Sequence, residues 1–294
     1  HSLLESVTLL DCHPLDPETT QLFPLVQCLS KNPTLKHLVI DSTVLQVGEH
    51  VSEVLASLGR SDCLLTLKLI NCEGLGFGDE DILPMLRELR ANNTMKELCI
   101  HDVSTRSGLL GAPSSEALGD MLTCNTKLES ISLSLLPEVI PPIIDALRVN
   151  RKIKRLRLHT HHPFLGDIVE CLGEVLRDDN YILEYCYVGC LLSPEVEFYL
   201  TLNCLGRHYL LTSHEATHED WINTMGSQKV DILLYFITKN PSLCQTDRAF
   251  HTLASSSNIS KRMKLHGDNW TATRTKCKRF QQPDGGIVKR AKRD

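Results

Sequence analysis

Aromatic side chains are scarce in this chain, at 5% of its 294 residues. A core with few large rings must be assembled from many similar aliphatic side chains, which suits stacked repeats better than one large jigsaw. Apolar runs are short and interrupted. None approaches the ~20 residues needed to cross a bilayer, which excludes a helical membrane span. A Cys-x-x-Cys pair is missing as well: the twelve cysteines are spread through the chain, the closest being Cys186 and Cys190. Without the pair, zinc-ribbon and dithiol redox motifs are excluded. The chain opens on His1, already inside a repeat-like pattern and without a signal-peptide apolar region. We therefore expect a fragment whose natural start lies elsewhere, and no import or export signal is readable at that end.

What is present is ordinary for a soluble globular protein: 42% hydrophobic and 23% charged residues. Several cysteines, Cys28, Cys124, Cys171 and Cys204, stand where apolar residues would fit a helix face. A reduced thiol behaves as a small buried hydrophobe, so we expect a reducing compartment, cytoplasmic or nuclear. The sequons at Asn92, Asn258 and Asn269 are then expected to carry no glycan.

The dominant feature is an internal repeat. Seven segments fit apolar-x-x-apolar-x-apolar-x-x-variable: 4–12 (LESVTLLDC), 35–43 (LKHLVIDST), 64–72 (LLTLKLINC), 95–103 (MKELCIHDV), 128–136 (LESISLSLL), 153–161 (IKRLRLHTH) and 182–190 (ILEYCYVGC). Their first positions lie 31, 29, 31, 33, 25 and 29 residues apart. Each segment alternates at its centre, as a short strand with one inward face does. The first six are followed by helix-period apolar stretches, among them 20–30, 51–58, 82–89, 117–122 and 168–176. Asp16-Pro17-Glu18, Asp79-Glu80-Asp81 and Ser114-Ser115-Glu116 supply caps or acids where such helices start. Asn32, Asn93, Asn125, Asn150 and Asn180 fall two or three residues before the next strand, where a left-handed C-terminal residue is wanted.

A strand of ~4 residues and a helix of ~11 cannot bury their apolar faces alone, so they stack into a parallel inner sheet backed by helices. The pattern resembles the leucine-rich-repeat family, and its spacing near 30 resembles the ribonuclease-inhibitor class in particular. That resemblance covers roughly residues 1–191 and implies an α/β horseshoe solenoid. The family places Asn or Cys at the ninth position. Cys12, Cys72 and Cys190 match, whereas Thr43, Val103, Leu136 and His161 depart from it.

After Cys190 the pattern changes. Ser193-Pro194-Glu195 opens a longer helix to about Leu210, followed by helical stretches at 219–225 and 230–238. We read 192–255 as an all-helical C-terminal cap covering the exposed end of the core. Its run VEFYLTLNCLGRHYLL, with Trp221 and DILLYFITKNPSL beyond, resembles the C-terminal segment of leucine-rich-repeat proteins abundant in diatoms. That likeness implies no biochemical activity.

Residues 256–294 carry eleven Lys or Arg against three Asp, a net of +8, while the rest of the chain is net −13. Such a tail is expected to be disordered. Lys276, Lys278 and Arg279, then Lys289, Arg290, Lys292 and Arg293, resemble a bipartite nuclear import signal. A solvated tail folding back on the acidic body, or weak RNA and phosphate binding, are the other readings.

Side chains at the third, fifth and seventh template positions should line the concave face. Read by repeat they are Ser6, Thr8, Leu10; His37, Val39, Asp41; Thr66, Lys68, Ile70; Glu97, Cys99, His101; Ser130, Ser132, Ser134; Arg155, Arg157, His159; and Glu184, Cys186, Val188. The candidate partner-binding residues are Lys154, Arg155, Arg157, His159, Glu184, Glu97, His101 and Lys68. Arg and His give directional contacts, and the sixth repeat forms a basic patch.

Three enzyme-like readings are weaker. Cys99 and His101, roughly 6–7 Å apart on one strand, have no orienting carboxylate. His159, His161 and His162 near Cys186 and Cys190 could hold zinc only if four ligands converged. Arg106, on the Thr105-Arg106-Ser107 loop, is placed as in leucine-rich-repeat GTPase activators, with nothing else in support. We expect no enzyme, no metal and no cofactor. The expected function is a protein-protein interaction scaffold, with a protein partner, no membrane, and nucleic acid only weakly through the tail. The alternative is the sensing arm of a larger regulatory protein, an F-box adaptor or nucleotide-binding receptor.

Overall fold

The computed structural model describes residues 4–10, 22–41, 51–70, 79–101, 112–160, 166–212 and 230–239, with Thr217, Asp220 and Thr224. Seven strands, β1 (Ser6–Leu10), β2 (His37–Asp41), β3 (Thr66–Ile70), β4 (Glu97–His101), β5 (Ser130–Ser134), β6 (Arg155–His159) and β7 (Tyr185–Tyr187), form one parallel sheet in sequence order. Helices follow the strands in turn: α1 (Leu22–Ser30), α2 (Val51–Arg60), α3 (Asp79–Leu89), α4 (Ala112–Cys124), α5 (Ile140–Leu147), α6 (Gly166–Asp178) and α7 (Pro194–Cys204). This is the α/β solenoid of parallel strands and alternating helices that the periodicity predicts.

The pattern dictates the burial. Template positions one, four and six point inward, so Leu67 and Leu69 of β3 or Leu156 and Leu158 of β6 are buried, while their neighbours in sequence face out. Each strand pairs with the next residue by residue, Ser6 with His37, His37 with Thr66, and so on to Ser130 with Arg155. One hydrophobic core runs through the stack, lined on the helix side by residues such as Leu58, Leu86, Leu122, Leu147 and Leu176.

The seventh repeat departs from the expected frame by one residue. Arg155 pairs with Tyr185, and Arg157 with Tyr187. The repeat therefore starts at Leu183, not Ile182. Leu183, Cys186 and Val188 are buried, and Tyr185 and Tyr187 face out. A one-residue slip moves every side chain of a strand to the opposite face. Cys186 and Val188 thus leave the open face, and Cys190 is no longer the ninth position. Behind β7 the chain turns at Gly189 with φ +74, where a Cβ would come within 2.9 Å of Thr160.

Several helix starts shift too. Helix α4 begins at Ala112, so Ser114 and Ser115 lie inside its first turn, buried, with the Ser115 hydroxyl donating to Val139 O at 3.1 Å. Asp16-Pro17-Glu18 lies outside the described residues. The expected single helix after Ser193 is broken: α7 ends at Cys204, Gly206 takes φ +82, and α8 (Arg207–Thr212) starts anew. The expected cap at Ser193 does form, its hydroxyl accepting from Val196 N at 3.2 Å.

The asparagines before the strands act through their side chains. Asn150 Nδ2 donates to Leu122 O at 2.6 Å in the preceding repeat, and its Oδ1 accepts from Lys152 N and Ile153 N, both at 2.8 Å. Asn125 and Asn180 repeat this arrangement. In the fourth repeat the rung is Asn92, whose amide donates to Gly59 O and Ser61 O, while Asn93 is exposed. The amide of Asn92, which stands in one of the sequons, is thus consumed by the ladder. A further rung, Asn203 of α7, donates to Leu183 O at 2.8 Å and Asn180 O at 3.2 Å. Its Oδ1 is buried without a partner among the described residues.

The chain divides into two compact units, His1–His208 and Tyr209–Asp294. Everything above except the far part of α8 belongs to the first. Within it α7 buries Val196 and Leu200 in the common core. Arg207, almost fully buried, donates to Leu176 O and Arg177 O at 2.6 Å each and stacks on the Tyr181 ring at 3.9 Å. It satisfies two orphan carbonyls at the negative end of α6. In the second unit, α9 (Val230–Lys239) buries Ile232, Leu233 and Phe236. The helical stretch expected at 219–225 falls mostly outside the described residues, as do Trp221 and the whole tail from 256 onward.

All eight cysteines among the described residues are free thiols. Their placement corrects the sequence reading: Cys28, Cys124 and Cys204 are exposed and Cys171 is half-buried, while the buried thiols are Cys99 and Cys186 on strands. A helix-period position fixes which face a residue takes, and these positions fall on its border.

Candidate functional site

Because the strands alternate, the third, fifth and seventh template residues of repeats one to six share the open face of the sheet. Towards its N-terminal side this face is quiet. His37 Nδ1 lies 3.1 Å from the Thr66 hydroxyl, and Lys68 Nζ is paired with Glu97 Oε1 at 2.8 Å. Lys68 and Glu97 thus neutralise one another across β3 and β4.

The C-terminal half has a different chemistry. Ser130, Ser132 and Ser134 on β5 stand beside Arg155, Arg157 and His159 on β6, which stand beside Tyr185 and Tyr187 on β7. The His101 ring bridges the serines, with Nε2 2.5 Å from Ser132 Oγ and Nδ1 3.2 Å from Ser134 Oγ. His159 packs edge-on against the His101 ring at 4.3 Å and lies 5.1 Å from the Tyr187 ring. The Arg157 guanidinium sits 5.2 Å over Tyr185. Arg155, Arg157 and His159 are exposed, and the two tyrosines keep 42% and 39% of their surface in solvent. No carboxylate lies within 4.0 Å of Lys154, Arg155 or Arg157 among the described residues.

Of the predicted residues, the structure gathers Arg155, Arg157, His159 and His101 into this cluster. Lys68 and Glu97 form their own pair. Lys154 and Glu184 sit one position ahead of the strands, on the rim, where Glu184 N donates to Lys154 O at 2.8 Å. Glu184 is therefore not on the open face, because the slip of β7 moved it. The same slip hid Tyr185 and Tyr187 from the sequence reading. Their signal was present in the alternative frame Leu183-x-x-Cys186-x-Val188, which leaves the two tyrosines outward. Arg106, His161, His162 and the tail residues Lys276, Lys278, Arg279, Lys289, Arg290, Lys292 and Arg293 lie outside the described residues.

The enzyme-like groupings fare differently from one another. Cys99 is buried while His101 bonds two serines. Cys186 lies on the core side of β7, opposite in register to Leu156, so it faces away from His159. Burial pushes its thiol up to about 12 and also raises that of Cys190. Both shifts disfavour the thiolate, which is the metal-binding form.

No protein-family model matches this sequence, and no curated protein matches it. Solved structures do match. One, titled leiomodin-1 actin-binding site 2, aligns at a TM-score of 0.44 and 15% identity, covering 54% of this chain and 91% of that one. Another, the tropomodulin C-terminal domain of Caenorhabditis elegans, aligns at 0.43 and 14%, covering 53% and 95%.

Proposed function

We propose that this chain is a non-catalytic protein-protein interaction scaffold that seats a partner on the open face of β4 to β7. The observation that carries this reading is the cluster of exposed arginines and tyrosines on neighbouring strands. Arg and Tyr are the side chains that most often dominate binding energy at protein interfaces. Here they project from a hydrogen-bonded sheet, so little backbone entropy is lost on binding. We also assign the repeats to the ribonuclease-inhibitor-like class, supported by an α-helix in each repeat and strand spacings of 25 to 33 residues. The free thiols fit a reducing compartment, cytoplasm or nucleus.

The test is photo-crosslinking in cells with p-benzoylphenylalanine at position 187, in the wild-type background and with R155E/R157E added. A protein cross-linked in the first and lost in the second, at unchanged melting temperature, supports the reading. Capture that survives charge reversal, or a parallel loss of folding and capture, refutes it.

A further inference from the structure

Resting on that reading, we propose that the occupant of this face is an acidic, extended segment of the partner protein, with carboxylates on Arg155 and Arg157 and an apolar side chain against Tyr185 and Tyr187. The first argument is charge. The chain before residue 256 is net −13, and the other lysine or arginine that the described strands carry on the open face, Lys68, is committed to Glu97. Arg155 and Arg157 stay exposed and without a carboxylate among the described residues. The acids beside them, Glu129 and Glu184, sit on the rim with Lys154 between them. Their main chains are hydrogen-bonded in series, Lys154 N to Glu129 O and Glu184 N to Lys154 O, both at 2.8 Å. Among the described residues, Arg155 and Arg157 are thus left to an external anion.

Geometry narrows that anion. Arg155 and Arg157 are two residues apart on one strand, so their side chains leave the same face at a spacing of ~6.5–7 Å. An extended peptide offers alternate side chains at the same repeat, and a carboxylate accepts two parallel N–H bonds from one guanidinium. The Arg157 guanidinium is already stacked on Tyr185, which lowers the ordering cost of such a bond. The Ser130 hydroxyl next to Arg155 can donate a further bond, and the tyrosines give an apolar wall that a bare polyanion would not use. A peptide can set as few as two carboxylates against this net-acidic chain, whereas nucleic acid brings a charge at every nucleotide, so charge favours the peptide and the experiment sets the two against each other.

The experiment is fluorescence anisotropy with a labelled decapeptide of glutamates around a central leucine. It uses the full chain and a full-length variant with the seven clustered tail cations changed to glutamine, so that binding to the tail is not read as binding to the face. The peptide should bind the tail-neutral chain, and R155E/R157E in that background should weaken it by at least about tenfold. The Tyr185→Ser, Tyr187→Ser pair should weaken it several-fold. The reversed variant should instead take the lysine counterpart of the peptide, an exchange that a misfolded protein would not show. Equal affinity for the glutamate and lysine peptides, indifference to charge reversal, or tighter binding of a single-stranded oligonucleotide than of the peptide would each overturn the proposal. If cross-linking at position 187 still depends on the arginines while the peptide neither binds nor competes, the acidic segment is wrong and the scaffold reading stands.

Discussion

Removing one rung from the middle of the asparagine ladder should cost far more than removing its last rung. Asn150→Ala deletes three well-formed bonds, to Leu122 O at 2.6 Å and from Lys152 N and Ile153 N at 2.8 Å, and a long fourth to Asn125 O at 3.4 Å. Each such bond stabilises by about 0.5–1.5 kcal/mol net, and a buried group left unpaired adds to the loss. The sum is about 3 kcal/mol. Asn203→Ala deletes only the donations to Leu183 O and Asn180 O, at 2.8 and 3.2 Å. It also removes a buried oxygen that has no partner among the described residues, which offsets part of the loss, leaving about 1 kcal/mol. For a domain of this size, that difference corresponds to roughly 4–8 °C in melting temperature. Urea titration followed by far-UV circular dichroism reads both variants, with unchanged slopes showing that the same surface unfolds. If Asn203→Ala is as damaging as Asn150→Ala, the reasoning from counted bonds fails.

Two further outcomes are expected. Arg207→Met should destabilise by about 3 kcal/mol, since it strands two carbonyls at the end of α6 and the Tyr181 stack; Arg207→Lys should recover only part of this, because an ammonium cannot serve both acceptors in the fork geometry. Full recovery by lysine in thermal melts would show that charge alone matters there. We propose that residues 276–294 direct the protein to the nucleus, so deleting them should shift a fluorescent fusion towards the cytoplasm, and an unchanged distribution would remove that role.

Six of the seven repeats were legible in the sequence because their signal is local: an aliphatic side chain at positions one, four and six leaves few alternatives for a short strand. The seventh was ambiguous for a physical reason. Ile182 and Leu183 are both apolar, and Tyr185 and Tyr187 are apolar enough to pass as inward residues. Only pairing with Arg155 and Arg157 decides the frame, and that is a non-local fact. The same holds for the doublet Asn92-Asn93, where the carbonyls of Gly59 and Ser61 select which asparagine becomes the rung. For the candidate site, the basic row of β6 was visible in advance. The tyrosine row was not, and neither was the Lys68–Glu97 pair, whose two charges lie in different repeats. In the run YLTLNCLGR the sequence displays a motif without its reason. The structure supplies one for most of it: Tyr199 lies 5.0 Å from the Arg207 guanidinium, Leu200 and Leu202 are buried, Asn203 is a rung, Gly206 takes positive φ and Arg207 caps α6.

That motif also bears on the site. Strand β7 has three residues and pairs with β6 on one side. The residues leading into it are held from two directions. Leu183 N donates to Asn180 Oδ1 at 2.8 Å, while Leu183 O accepts from Asn203 Nδ2 and Glu184 O accepts from the Cys204 thiol at 3.2 Å. The outward aim of Tyr185 and Tyr187 is thus set by α7 as much as by the sheet. Terminal units of a solenoid open locally more easily than its middle, and a site formed only in the closed state binds in proportion to the fraction closed. On the reading proposed for the β6–β7 face, part of its affinity would therefore come from the end of the repeat array, through Asn203 and Cys204 rather than through any residue that touches the partner.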